Sequence, residues 1–510
     1  MKRITALLLL AAMLLCGCTA TPVYTPTGDA LHQDDMTKPS STQPIQQPQA
    51  LTFGYYPDRS LNPYTSTEVA HKLLFSLLYQ GLFTLDSQYN PSPILCKSYT
   101  VSKDCRTYVF YLEEATFADG TAVTPQDVVA SMEAARTEQV YSGRLKQLSS
   151  VSVTEDGGVE MVMAIPYENL PLILDIPIVK ASETAAQRPT GTGPYCYHMG
   201  LSGLQLQKRS DWWCRAQLPI TAATISLLRV DSPATMRDDF EYNNISIVCA
   251  DPGSDTYVDY RCDYELWDVE TGIFLFLSCN KNSAVFSNEA IRAALTHGID
   301  REALISQYYR DFATATYLPA SPASPLYNQA LADLYGYAPE KLTQAIAQAQ
   351  LESLAITLLV NKADSRRVRA ARGVASMLED YGFTVTVSAL SGTSYTNALK
   401  RGNFDLHLGQ TKLSANMDLT AFFDPEGALS YGGLANTANY VLSQGALENE
   451  SNFLYLYKRI MDSGMLCPIL IRDYAIYVQR SVLDQLNPAR DHIFYYDLGR
   501  TLESAQTQNP

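Results

Sequence analysis

Between residues 354 and 408 the hydrophobic period switches repeatedly between that of a strand and that of a helix, and this narrows the fold more than any other stretch. Residues 354–360 form a continuous apolar run, as expected of a strand covered on both faces. Val368, Val374 and Leu378 then share one face of a predicted helix over 365–381, which Gly382 stops. Phe383, Val385, Val387 and Ala389 alternate with Thr384, Thr386 and Ser388, a second helix runs through 395–400, and another strand follows at 404–408. Strands alternating with helices predict a doubly wound α/β domain with a largely parallel sheet. Ligands of such sheets sit beyond the carboxyl ends of strands at a switch point, which points to residues 409–418 as a cleft loop.

The N-terminus has a different character. Residues 1–18 read MKRITALLLLAAMLLCGC, with Lys2 and Arg3 ahead of an apolar run over 6–15. A basic head and a short apolar core have the anatomy of a secretory signal. The run is too short to cross a bilayer, which takes about 20 residues. Leu15-Cys16-Gly17-Cys18 resembles the lipobox of bacterial lipoproteins, which implies acylation of Cys18 as the first residue of the mature chain. Residues 19–50 are rich in Thr, Pro, Gln, Ser and Asp and cannot bury enough apolar surface to fold. They are expected to be a flexible tether reaching about 30 Å. The expected location is extracytoplasmic, lipid-anchored to the cell membrane at the bacterial cell surface or in the periplasm.

The remaining sequence is globular in composition, 46% hydrophobic and 18% charged, and long enough for two or three domains. Net charge is −15, and −17 once Lys2 and Arg3 leave with the signal, so the overall field does not favour nucleic acid. Tyrosines outnumber phenylalanines 33 to 16, which suits both ligand clefts and amphipathic surfaces. The six histidines are scattered without metal-ligand spacing. Gly200-Leu201-Ser202-Gly203 brings its second glycine one residue too early for a nucleophile elbow, and no Gly-Lys follows Gly191-Thr192-Gly193. Neither a catalytic residue nor a metal or cofactor is expected, and the chain does not read as an enzyme. Eight cysteines follow Cys18, none with CxxC spacing. Cys96 and Cys105 flank a predicted turn and are the best candidates for a disulfide, with buried thiols as the equal alternative.

In the first half, residues 51–55 read as a strand and Val69, Leu73, Leu74, Leu77 and Leu78 as a helix face. Strands over 94–101 and 108–112 pair about a turn at 102–106, and Thr124-Pro125-Gln126-Asp127 opens a helix with an N-cap, a proline at N1 and a carboxylate at N3. The stretch TYVFYLEEATFADGTAVTPQDVVASMEAAR, residues 107–136, resembles the signature region of the family 5 extracellular solute-binding proteins, the oligopeptide-, dipeptide- and nickel-binding lipoproteins of ABC importers. Further matches follow in order: Leu61-Asn62-Pro63, Gly191-Thr192-Gly193-Pro194-Tyr195, Asp211-Trp212-Trp213, FLFLSCN with IRAALTHGIDREALI, then Asn403-Phe404-Asp405 and Asp418. The resemblance covers nearly all of the mature chain.

That resemblance implies a two-lobed periplasmic-binding-protein fold of type II, of the large cluster C kind, with an inserted subdomain. Lobe one would comprise residues 51–72, 186–272 and 471–510, the inserted subdomain 73–185 and lobe two 273–470, with hinges near Thr271 and Leu470. A small solute, a peptide by default, would be held between the lobes of a monomer and delivered to ABC permease subunits. A lipid-anchored peptide sensor is the alternative, and an exported hydrolase a more distant one. Candidate ligand contacts are Tyr55, Tyr56, Asn62, Tyr64, Asn280, Gln410, Lys412, Asn416 and Asp418. Peptide binders of the family place an acid about three residues before the position matched by Asp418, where this chain has Ala415. An α-ammonium would then lack its usual partner unless Asp418 takes that role by a shifted register, while Lys412 suits a carboxylate.

Overall fold

The computed structural model describes residues 51–214, 216–496 and 502, so the expected signal, Cys18 and the tether lie outside the described residues. Its framework is one sheet of eleven strands. In spatial order these are Thr384–Leu390, Ala355–Asn361, Leu406–Lys412, Glu265–Cys279, Leu466–Val478, Ile247–Ala250, Leu51–Tyr55, Thr224–Arg229, Gly203–Lys208 and Tyr195–Gly200, with Ala313–Ala315 added beside Leu466–Val478. The sheet is mixed, which corrects the expectation of a largely parallel one. Ala355–Asn361 pairs parallel with both of its neighbours, and Leu51–Tyr55 does the same in the other half. Between these parallel groups stand two long strands, Glu265–Cys279 and Leu466–Val478, paired antiparallel with each other. The chain passes from one half of the sheet to the other along each of them, in opposite directions, and that forces the antiparallel centre.

The long pair changes character midway. Residues 273–279 pair with Leu406–Lys412 on one side, whereas 475–478 pair with Ile247–Ala250 on the other. At the changeover the register slips between Glu270 and Ile273, and Gly272 there has φ +70°. A side chain at this position would be strained and would strike the Arg490 guanidinium. Gly272→Ala is therefore expected to lower stability by about 2 kcal/mol, seen as an earlier urea midpoint with an unchanged far-UV spectrum.

Several local expectations hold. Asp127 accepts from the Thr124 backbone N–H at 2.8 Å and from its hydroxyl at 2.6 Å, and the helix Pro125–Thr137 starts there. Cys96–Val101 and Thr107–Leu112 form the predicted hairpin, extended by Val159–Met163 and Leu148–Val153 into a four-stranded antiparallel sheet. That hairpin rules out the Cys96–Cys105 bridge. Cys96 lies opposite Leu112 at the open end and Cys105 in the turn, some 17 Å of strand away. The late strand runs on to Lys412, so Gln410 and Lys412 are strand residues and the loop begins at Leu413.

Candidate functional site

Where the strand Leu406–Lys412 ends, the chain turns toward the four-stranded region, and the two enclose a cavity of about 480 Å³. Its walls are Gln139, Gly143, Arg144 and Lys146 on one side and residues from Thr411 to Leu429 on the other, with Arg490 contributed from near the end of the described chain. The segments on its two sides are bonded to each other nearby. Glu168 N–H donates to the Leu447 carbonyl at 2.7 Å, and the Gln147 amide reaches the Thr420 hydroxyl at 3.3 Å. The volume falls within the range of small-molecule sites.

A buried charge cluster adjoins this cavity. Asp491 accepts from Lys72 at 3.0 Å, Lys412 at 2.8 Å and Arg144 at 2.7 Å, and Arg144 also pairs with Asp175. Arg490 stands 3.9 Å from Asp491. Burial alone would raise the Asp491 carboxyl, but Lys412, Lys72, Arg144 and Arg490 hold it well below the usual carboxylate range. Lys412 borders the cavity with its side chain 40% exposed; partial burial, with Lys72, Arg490 and Arg144 nearby, lowers its ammonium against the opposing pull of Asp491. Burial likewise lowers His492, 3.8 Å from Asp175, and favours its neutral form. On the loop wall, Asp418 accepts from the Thr420 N–H at 2.8 Å and hydroxyl at 2.6 Å, yet burial still raises its carboxyl.

Of the residues singled out in the sequence, the structure brings Lys412 and Asp418 to this cavity. Gln410 lies one step behind it, accepting from Arg472 at 3.4 Å. Asn416 is buried and accepts from the Ser414 hydroxyl at 2.7 Å, and Ala415 is buried in the hydrophobic core. The others are engaged elsewhere. Asn62 donates to the carbonyls of Thr184 and Ala186, both at 2.8 Å, and Tyr64 to Pro177 at 2.7 Å. Asn280 donates to Gly402 at 3.0 Å and Phe404 at 2.7 Å, closing a turn. Tyr55 is buried at the end of its strand. Tyr56 borders a separate cavity of about 230 Å³ with Glu68, Met236, Asp251 and Tyr260. These asparagines spend their amides on local backbone, the ordinary use of Asn in loops. Arg144, Asp175, Arg490 and Asp491 did not stand out in the sequence. The one available signal was the run Arg490-Asp491-His492, three ionisable side chains between apolar neighbours.

Residues 90–427, more than half of the chain, match the family described as bacterial extracellular solute-binding proteins, family 5. The chain belongs to that family. Family 5 members are binding proteins, not enzymes. The glutathione-binding protein GsiB of Escherichia coli K12 is 25% identical over 309 residues, which cover 57% of this chain and 59% of GsiB. The match thus spans less than two thirds of these curated relatives. Among solved structures, the ABC transporter substrate-binding protein CtaP of Listeria monocytogenes aligns over 88% of this family 5 chain and 98% of its own, with TM-score 0.69 and 16% identity. The oligopeptide-binding protein AppA of Bacillus subtilis, in complex with a nonapeptide, aligns over 89% and 99% with TM-score 0.59 and 18% identity. The fold is thus the two-lobed periplasmic-binding-protein fold expected from the motifs. Among the described residues of this family 5 protein, no helix is long and apolar enough to cross a membrane, and no cluster of His, Cys, Asp and Glu is arranged to hold a metal.

Proposed function

We propose that this chain is the solute-receiving component of an ABC importer, anchored outside the cytoplasm through a lipid on Cys18. It closes around a small solute in the 480 Å³ cavity and presents it to membrane permease subunits. The observation that carries this reading is the cavity itself, bordered by the loop after Leu406–Lys412, by the region around Arg144 and by Arg490. Residues 51–72, 186–272 and 471–510 serve as lobe one, 273–470 as lobe two and 73–185 as the inserted subdomain. The slip at Glu270–Ile273 supports a hinge there. A peptide is the default solute, in keeping with the oligopeptide-binding AppA.

Two measurements test this. Native mass spectrometry of the chain purified without denaturation is expected to show a sub-kilodalton adduct that leaves intact on unfolding; turnover of that adduct would refute a pure binding role. Cys18→Ala is expected to move the protein from the membrane to the soluble fraction. An unchanged partition would refute the lipid anchor.

A further inference from the structure

Lys72, Arg144, Lys412 and Arg490 gather around Asp491 and Asp175, and Glu270 faces Arg490 as a third carboxylate. Of the four cations, Arg490 is the one with unmet donors. Its side chain is 2% exposed, one nitrogen donates to the Leu413 carbonyl, and its Nε and Nη1 have no hydrogen-bond partner. A guanidinium taken out of water without partners is costly, and its planar fork fits a carboxylate. Arg490, Arg144 and Lys412 all border the cavity.

We infer that the solute enters this cavity carboxylate first, and that Arg490, with Lys412 and Arg144, receives its anionic group. This inference rests on the cavity being the solute site. Asp418, which also borders the cavity, is then left for a hydroxyl, an amide or a cationic tail of the same solute.

The shared chemistry could come from a free organic acid or from the C-terminus of a short peptide, and the test separates the two. The purified full chain is titrated by calorimetry with glutarate, trialanine, trialanine amide and N-acetyl-trialanine. At least one free carboxylate should bind. Amidation should weaken trialanine by about 100-fold, while N-acetylation is tolerated. Glutarate binding without trialanine binding would assign the organic acid. Arg490→Met and Lys412→Met should each weaken the bound probe by about 100-fold. Because Arg490→Met could unfold the chain, the more accessible Lys412→Met carries the decision. A panel in which no carboxylate binds, or in which N-acetylation rather than amidation abolishes binding, overturns the inference. Carboxylate binding that ignores both substitutions, and also ignores the cavity-filling Ala421→Trp, refutes the choice of cavity and with it the functional reading.

Discussion

Asp491→Asn is expected to destabilise the protein by about 3–5 kcal/mol, the usual result of removing one partner from a buried ion pair. The asparagine would fill the same space, but Lys72, Lys412 and Arg144 would lose the carboxylate on which they converge. Asp175 would remain as the partner of Arg144 alone. The measurement is the urea midpoint of the variant against the parent, followed as a function of pH. The folded state keeps Asp491 ionised far below its ordinary range, whereas the unfolded chain takes up a proton near pH 3.9, the usual aspartate value of about that size. The stability contributed by this carboxylate is therefore complete above about pH 4 and is lost as pH falls toward the folded-state value. Parent and variant should differ most at neutral pH and converge in acid. A constant difference down to pH 3 would show that the loss comes from packing and not from charge.

Arg301→Ala is expected to cost about 4 kcal/mol by another route. Arg301 is 1% exposed, and its ion partners are replaced by backbone. Its Nε donates to the Thr316 and Pro468 carbonyls, both at 3.0 Å, Nη1 to Thr296 at 3.0 Å and Ile299 at 3.2 Å, and Nη2 to Pro468 at 2.7 Å. The ring of Tyr317 lies 4.3 Å from the guanidinium carbon. One side chain thus satisfies carbonyls from the helix region 296–299, from Thr316 and from the long strand Leu466–Val478. Truncation leaves those acceptors buried and unmet, each at roughly 1–3 kcal/mol. Arg301→Lys should recover less than half of the loss, because an ammonium cannot span the same fork. If lysine restored the full urea midpoint, charge alone would explain the site.

Elements with a strong period were legible in the sequence. The helix Ser365–Glu379, capped by Asp364, and the strand Ala355–Asn361 lie within a residue or two of where their patterns put them. The hairpin and the Thr124–Asp127 helix start are equally local. The antiparallel centre was not legible, because Glu265–Cys279 and Leu466–Val478 find each other across almost two hundred residues and no local period records a partner. The site divides in the same way. Lys412 and Asp418 follow from the rule that ligands gather beyond strand ends. Arg490 and Asp491 belong to a coil segment near a sheet they do not join, and only the tertiary fold brings them to Lys412. Asn62 and Asn280 drew attention as polar residues at strand ends, yet such residues satisfy backbone as readily as ligand, and these do.

The bond between Lys72 and Asp491 joins residues 419 positions apart in sequence. Closing a loop of that length carries an entropic cost that must be met before the contact contributes anything, so contacts of this kind form late in folding. For a chain that emerges N-terminus first, Lys72 and Arg144 wait with their charges solvated until Asp491 arrives. The cavity is therefore among the last features to exist. Chains arrested before that final docking would stand out as a population that refolds its helices quickly but regains solute affinity only in a slow kinetic phase.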